Sequence, residues 1–264
     1  MGFDACGAGK RWRRRQSNPV ARVTSGLVRN AKSEGAGKSF PCPPEAERLI
    51  HPPQQPACRA DGGGATLACV MNLLLWAVIG YLLGSIPFGL ILTRLAGGGD
   101  IRSIGSGNIG ATNVLRTGRK EIAAATLLLD AAKGAVAVWL AGRYGGEFAP
   151  LVAAVGAFAG HVHPAWLKFK GGKGVATLLG ISFAFSPWAA LGFAAAWLGV
   201  AAATRISSVG GMSAGFAAAV VLGIVGAPYA GAVVALLSLW VLWTHRENIS
   251  RLKGGTEPRI GKTS

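Results

Sequence analysis

The chain has 264 residues, of which 51% are hydrophobic and only 14% charged, yet its formal net charge is +16. A soluble domain carries roughly 25% charged residues, so the composition argues against an ordinary soluble enzyme. It points instead to a membrane protein that keeps its basic residues in a few places.

Residues 1–70 are rich in Arg, Pro, Gly, Ser and Gln, and no apolar period persists in them. Such a stretch cannot bury enough surface to offset its ordering entropy, so a disordered basic extension is expected. Cys6, Cys42, Cys58 and Cys69 all lie here, at spacings that match no zinc or redox motif, and are expected as unpaired thiols. GAGKSF at residues 35–40 lacks the earlier glycine of a phosphate-binding loop, because that position is Lys32. The basic run at residues 10–15 is followed by no cleavable hydrophobic region. Met71 opens a run, MNLLLWAVIGYLLG, that reads as a natural N-terminus. The division expected is therefore an extension over 1–70, readable as sequence upstream of the true start, and a membrane domain over 71–264.

From Met71 onward, apolar stretches alternate with short polar loops. A membrane-spanning helix needs ~20 apolar residues. Segments are expected over 72–95, 122–141, 150–167, 175–186, 188–203, 212–225 and 229–245, the fourth and fifth hinged at Pro187. This predicts an all-α polytopic membrane protein of about seven spans; five full spans with re-entrant pieces is the competing count. Basic residues fall in alternate loops: Arg94 to Lys120, Lys168 to Lys173, Arg205, and Arg246 onward. The opposite loops hold only Arg143 beside Glu147. By the positive-inside rule the N-terminus lies outside and the C-terminus in the cytoplasm.

The basic loops also carry the chemistry. The first, DIRSIGSGNIGATNVLRTGRK at residues 100–120, interleaves glycines with Ser106, Asn108, Thr112, Asn113, Arg102 and Arg116. Glycine lets backbone N–H groups approach an anion, and arginine supplies a planar fork for phosphate. In the second, Gly171, Gly172, Lys173 and Gly174 run straight into helical sequence, a pattern that makes an anion site at a helix N-terminus. His161 and His163 are two apart and share no helical face, so no metal site is expected and both read as interfacial. In the third, His245 and Asn248 are three apart and are expected on one helix face. TRISSVGG at residues 204–211 offers Ser207 and Ser208. Asp130 and Lys133, three apart within a span, are expected as a buried structural ion pair. There is no nucleophile elbow, no metalloprotease motif and no cysteine in the membrane part. A phosphate-ester transporter would also gather basic loops, but it should show internal repeats, and none is visible.

Four stretches in this order resemble the bacterial acyl-phosphate:glycerol-3-phosphate acyltransferase family: GSIPFG at 84–89, DIRSIGSGNIGATNVLR at 100–116, FKGGKGVATLLG at 169–180 and HRENISRLKGGTE at 245–257. The likeness runs from about Met71 to Glu257. It implies a seven-helix protein of the bacterial cytoplasmic membrane with a cytoplasmic active site, acting in phospholipid biosynthesis. The implied reaction is acyl transfer from acyl-phosphate to the 1-hydroxyl of glycerol-3-phosphate, giving lysophosphatidic acid and phosphate with no cofactor. Implied partners are those two substrates and membrane lipid, not nucleic acid; coupling to an enzyme that makes the acyl-phosphate stays open. The catalytic residues implied are Ser106, Arg116, Lys173, His245 and Asn248. Arg116, Lys173, Gly171, Gly172 and Gly174 would hold phosphate, with Thr112 and Ser208 as weaker members. Gly210 and Gly211 stand where the family often has a serine. On this reading His245 or the substrate's own phosphate takes the proton.

Overall fold

A computed structural model describes residues 63–103 and 107–261. Most of the 1–70 extension, and Ser106 with Gly105, lie outside the described residues. The described chain is all-helical. Its α-helices are α1 (Gly63–Gly84), α2 (Phe88–Leu95), α3 (Ala111–Leu115), α4 (Lys120–Tyr144), α5 (Ala149–Val162), α6 (Val175–Phe185), α7 (Pro187–Thr204), α8 (Ser207–Ile224), α9 (Pro228–Thr244) and α10 (Arg246–Lys253). Cys69, on α1, is disulfide-bonded, which corrects the expectation of unpaired thiols at that cysteine. Spacing motifs register neighbours in sequence, whereas a disulfide is decided by approach in space.

Among the described residues, four helices or helix runs are long and apolar enough to cross a membrane: Leu67–Leu95, Lys120–Tyr144, Pro187–Thr204 and Ser207–Ile224. The pair α9 and α10, bent by 58° at His245, makes a fifth when counted as one span. The 14-residue α5 and the 11-residue α6 are shorter. At ~1.5 Å per residue they cover about 21 and 17 Å of a ~30 Å hydrocarbon core. Prolines punctuate the bundle. Pro164 follows the end of α5, and Pro187 opens α7 after the single extended residue Ser186.

Lipid-like surroundings give helices no hydrophobic reason to associate, so close backbone packing must hold them. Glycines supply it. A Cβ on Gly84 would overlap the Ala157 carbonyl, and one on Gly160 the Tyr81 carbonyl, which locks α1 to α5. Gly134 meets the Thr177 carbonyl and Gly180 the Ala131 carbonyl in the same way, locking α4 to α6. A core of Phe158, Leu178, Ile181, Phe193, Leu222 and Val241 fills the space between α5 and α9. The outer surface shows Leu128, Trp188, Leu198 and Leu236 to the surroundings, as a lipid-facing surface would.

Three boundaries differ from expectation. α8 begins at Ser207, ahead of the expected start at 212, and takes in Gly210 and Gly211, which pack against the Trp197 carbonyl and Val175. α5 ends at Val162, because the chain turns through His163 and Pro164 into a short 3-10 turn. His245 and Asn248 do not share one helix: His245 caps α9 and Asn248 lies on α10 beyond the bend.

Candidate active site

The three motif loops meet at one cavity of about 170 Å³. Thr112 and Arg116 reach it from α3, Lys173 and Gly174 from the start of α6, and Ser208 from the start of α8. His245, Asn248 and Glu257 line it from the bend and the chain beyond.

The first motif is shaped by local hydrogen bonds. The Asn108 side-chain oxygen accepts from the Gly110 N–H at 2.9 Å, and that glycine is the N-cap of α3. Buried Asn113 donates to the Ile101 carbonyl at 3.0 Å and ties the loop closed. Arg102 is committed elsewhere, paired with Asp100 at 2.5 Å. Hydrogen bonds from the Arg102 side chain and backbone hold the Asp100 carboxyl far below its ordinary range. Arg116 is exposed at the mouth and lines the cavity.

In the second motif, Gly171 N–H donates to the Val162 carbonyl and Gly172 N–H to the His161 carbonyl, both at 3.0 Å. These two amides are therefore spent on folding the loop back against α5. Neither glycine lines the cavity, so the expectation that both bind phosphate is corrected. Gly174 does line it. Its φ of +87° and its packing on the Phe158 ring leave no room for a side chain. It sets the first turn of α6 against the cavity, with Val175 and Ala176 as neighbours on the wall.

Lys173 Nζ donates to the Asn248 side-chain oxygen, and the Lys173 carbonyl accepts from Thr244 at 3.1 Å. Burial pushes the Lys173 pKa down; Arg251 and Arg116 add to the shift, and Glu257 and Glu247 oppose it. His245 is 3% exposed. Its Nδ1 lies 2.8 Å from the Val241 carbonyl. A carbonyl only accepts, so Nδ1 carries the proton and the neutral ring keeps its lone pair on Nε2. Nε2 is on the side facing Gly211, another residue of the cavity wall.

Glu257 organises this side of the site, and sequence reasoning gave it no role. Its Oε1 accepts from Ser208 at 2.7 Å and Asn248 at 2.6 Å, and its Oε2 from Arg251 at 2.7 Å. Burial alone would raise its pKa, but those three partners outweigh it and the net shift is downward. The Ser208 hydroxyl is thus committed to a carboxylate, which explains its position better than direct phosphate binding does. Its signals in the sequence were its place at the end of the HRENISRLKGGTE stretch and its acid character in a basic tail.

Asp130 and Lys133 form the expected ion pair, 2.7 Å apart and each 3% exposed. Lys133 also donates to the Ile86 carbonyl at 2.8 Å, which pins the break between α1 and α2. Asp130 and His161 line the cavity too. His161 is 4% exposed, not interfacial, because the returning loop at Gly172 packs over its ring.

Residues 74–255 match the family model described as glycerol-3-phosphate acyltransferase. A glycerol-3-phosphate acyltransferase of Rhodopseudomonas palustris (strain BisB5) is 57% identical over 185 residues, 70% of this chain and 94% of that protein. One from Rhizobium etli is also 57% identical, over 70% of this chain and 90% of its own length. Among solved structures, the glycerol 3-phosphate form of PlsY (YgiH), an integral membrane glycerol 3-phosphate acyltransferase, matches at 37% identity and a TM-score of 0.68, covering 72% of this chain and 96% of that one. Its lysophosphatidic acid form matches at 36% and 0.67, covering 72% and 95%.

Proposed function

The chain belongs to the glycerol-3-phosphate acyltransferase family, and from that premise we propose that it transfers an acyl group from acyl-phosphate to the 1-hydroxyl of glycerol-3-phosphate. The products are lysophosphatidic acid and inorganic phosphate. The observation that carries this reading is the single cavity joining Arg116, Lys173 and the start of α6 to the free Nε2 of His245. Cations and helix N–H groups suit phosphate, and a neutral imidazole suits a hydroxyl.

Phosphate is a good leaving group, so no acyl-enzyme is needed. The 1-hydroxyl oxygen attacks the acyl carbon, an ester C–O bond forms, and the bond from that carbon to the phosphate oxygen breaks. The hydroxyl proton goes to His245 Nε2 or to the departing phosphate. Catalysis then rests on positioning and charge stabilisation. Arg116, Lys173 and Gly174 hold phosphate, with Thr112 at the rim. Asn248 fixes Lys173. Ser106, adjoining this loop in sequence, is included on the strength of the resemblance.

The same reading places seven helices in a bacterial cytoplasmic membrane, N-terminus outside and site facing the cytoplasm, with residues 71–264 as the catalytic domain. Alternating basic loops support it. Purified 71–264 in lipid, given palmitoyl-phosphate or palmitoyl-CoA with labelled glycerol-3-phosphate, tests the donor. Lysophosphatidic acid is expected from palmitoyl-phosphate alone. Product from palmitoyl-CoA at a comparable rate would refute the donor assignment.

A further inference from the structure

The acceptor assigned above carries one phosphate and two hydroxyls, and each group has needs the cavity must meet. Phosphate takes donors, which Arg116, Lys173 and the start of α6 provide. Bound hydroxyls need acceptors, and acceptors with spare capacity are few here. Glu257 spends three of its about four acceptor sites on Ser208, Asn248 and Arg251. The Asn248 side-chain oxygen already accepts from Lys173, and that of Asn108 from the Gly110 N–H. His245 keeps Nε2, which the proposed reaction uses for the 1-hydroxyl.

Asp130 remains. Asp130 is one of the residues lining the cavity, although its side chain is only 3% exposed. Oδ1 pairs with Lys133 Nζ at 2.7 Å and makes no further hydrogen bond. His161 Nδ1, 3.8 Å away, is too far to donate and is itself unpartnered. An ionised carboxylate has about four acceptor sites. A plain structural ion pair would close its own hydrogen bonds and turn from the cavity. This one keeps acceptor sites unused on a residue of the cavity wall, while Lys133 offsets the negative charge that would otherwise repel a phosphate.

We propose that Asp130 is a substrate-contacting residue whose carboxylate accepts a hydrogen bond from the 2-hydroxyl of the glycerol backbone, so that the site selects a vicinal hydroxyl-bearing phosphate. The assignment rests on the acyl-transfer reading above. Lys133 acts as a positioning residue, held between Asp130 and the Ile86 carbonyl.

The test compares two acceptors, glycerol-3-phosphate and 1,3-propanediol monophosphate, which lacks only the 2-hydroxyl. The wild type should prefer glycerol-3-phosphate in kcat/KM by roughly 10- to 100-fold, the range of a hydrogen bond to a charged group. In Asp130→Asn that preference should collapse toward one, while inhibition by inorganic phosphate persists. Should the variant elute as aggregate, Asp130→Asn with Lys133→Met, which removes the unpaired cation, is read in the same way. Equal loss on both acceptors, a preference that survives substitution, or no preference in the wild type would each overturn the assignment. A wild type that acylates neither acceptor would instead sink the acyl-transfer reading.

Discussion

Replacing Lys173 with Met keeps the chain length and removes one charge. The backbone around it should survive, because the Lys173 carbonyl is held by Thr244 and Gly174 is set by its own packing. What is lost is the Nζ donor, whose bond inside the protein runs to Asn248. A unit charge about 4 Å from a substrate anion is worth about 4 kcal/mol at an effective dielectric constant of ~20. Removing one preorganised donor from an oxyanion-type site costs about 2.7–4 kcal/mol, or roughly 10²–10³ in kcat. The two estimates agree, so Lys173→Met should lose roughly 100- to 1,000-fold in phosphate release from palmitoyl-phosphate, with the thermal midpoint little changed. Retention of kcat/KM within about threefold would refute the phosphate role. The pH profile adds an independent check. Burial lowers the Lys173 pKa from its ordinary 10.5. The ammonium is present below that lowered pKa and is lost as pH rises through it, so the alkaline limb of kcat/KM should fall earlier than for an exposed lysine. Lys173→Arg, which keeps its proton, should move that limb upward even if its absolute rate is poor.

His245→Gln should lower kcat by roughly 10²–10⁴-fold if Nε2 takes the proton, and should flatten the acid limb of the rate profile. A variant with an unshifted profile would assign the proton to the leaving phosphate. Glu257→Gln removes a charge that holds Ser208, Asn248 and Arg251. A cost of about 2–3 kcal/mol is expected, read as a lower thermal midpoint in detergent. The Glu257 pKa is lowered in the fold, so its stabilisation is present above the unfolded value and is lost as pH falls through the folded one. The gap between wild type and Glu257→Gln should therefore close below about pH 4, the reference range of a glutamate; a gap that stayed constant with pH would show that the charge is not what holds the three partners.

Much of this was legible in the sequence, because hydrophobic length and loop charge are one-dimensional signals. The segment expected over 122–141 is α4, Lys120–Tyr144, and the Asp130–Lys133 pair forms as its spacing implied. Pro187 marks the α6–α7 break. Other features depend on what approaches from elsewhere. The segment expected over 212–225 leaves out Gly210 and Gly211, yet both lie inside α8, where Gly210 meets the Trp197 carbonyl and Gly211 the Val175 side chain. HRENISRLK reads as one continued helix, and the 58° bend at His245 has no proline to announce it. Gly171 and Gly172 look like free amides until the loop folds back onto the His161 and Val162 carbonyls. Glu257 is the clearest case, since its meaning lies in three partners 6, 9 and 49 positions away.

That last feature bears on how the protein is made. Glu257 follows every described helix in the chain, and it ties Ser208, Asn248 and Arg251 into one wall. A nascent chain at the translocon can seat its hydrophobic segments one after another and still have no finished wall. The carboxylate that completes it is synthesised after all three of its partners, so this wall closes only once the last described helix has been made.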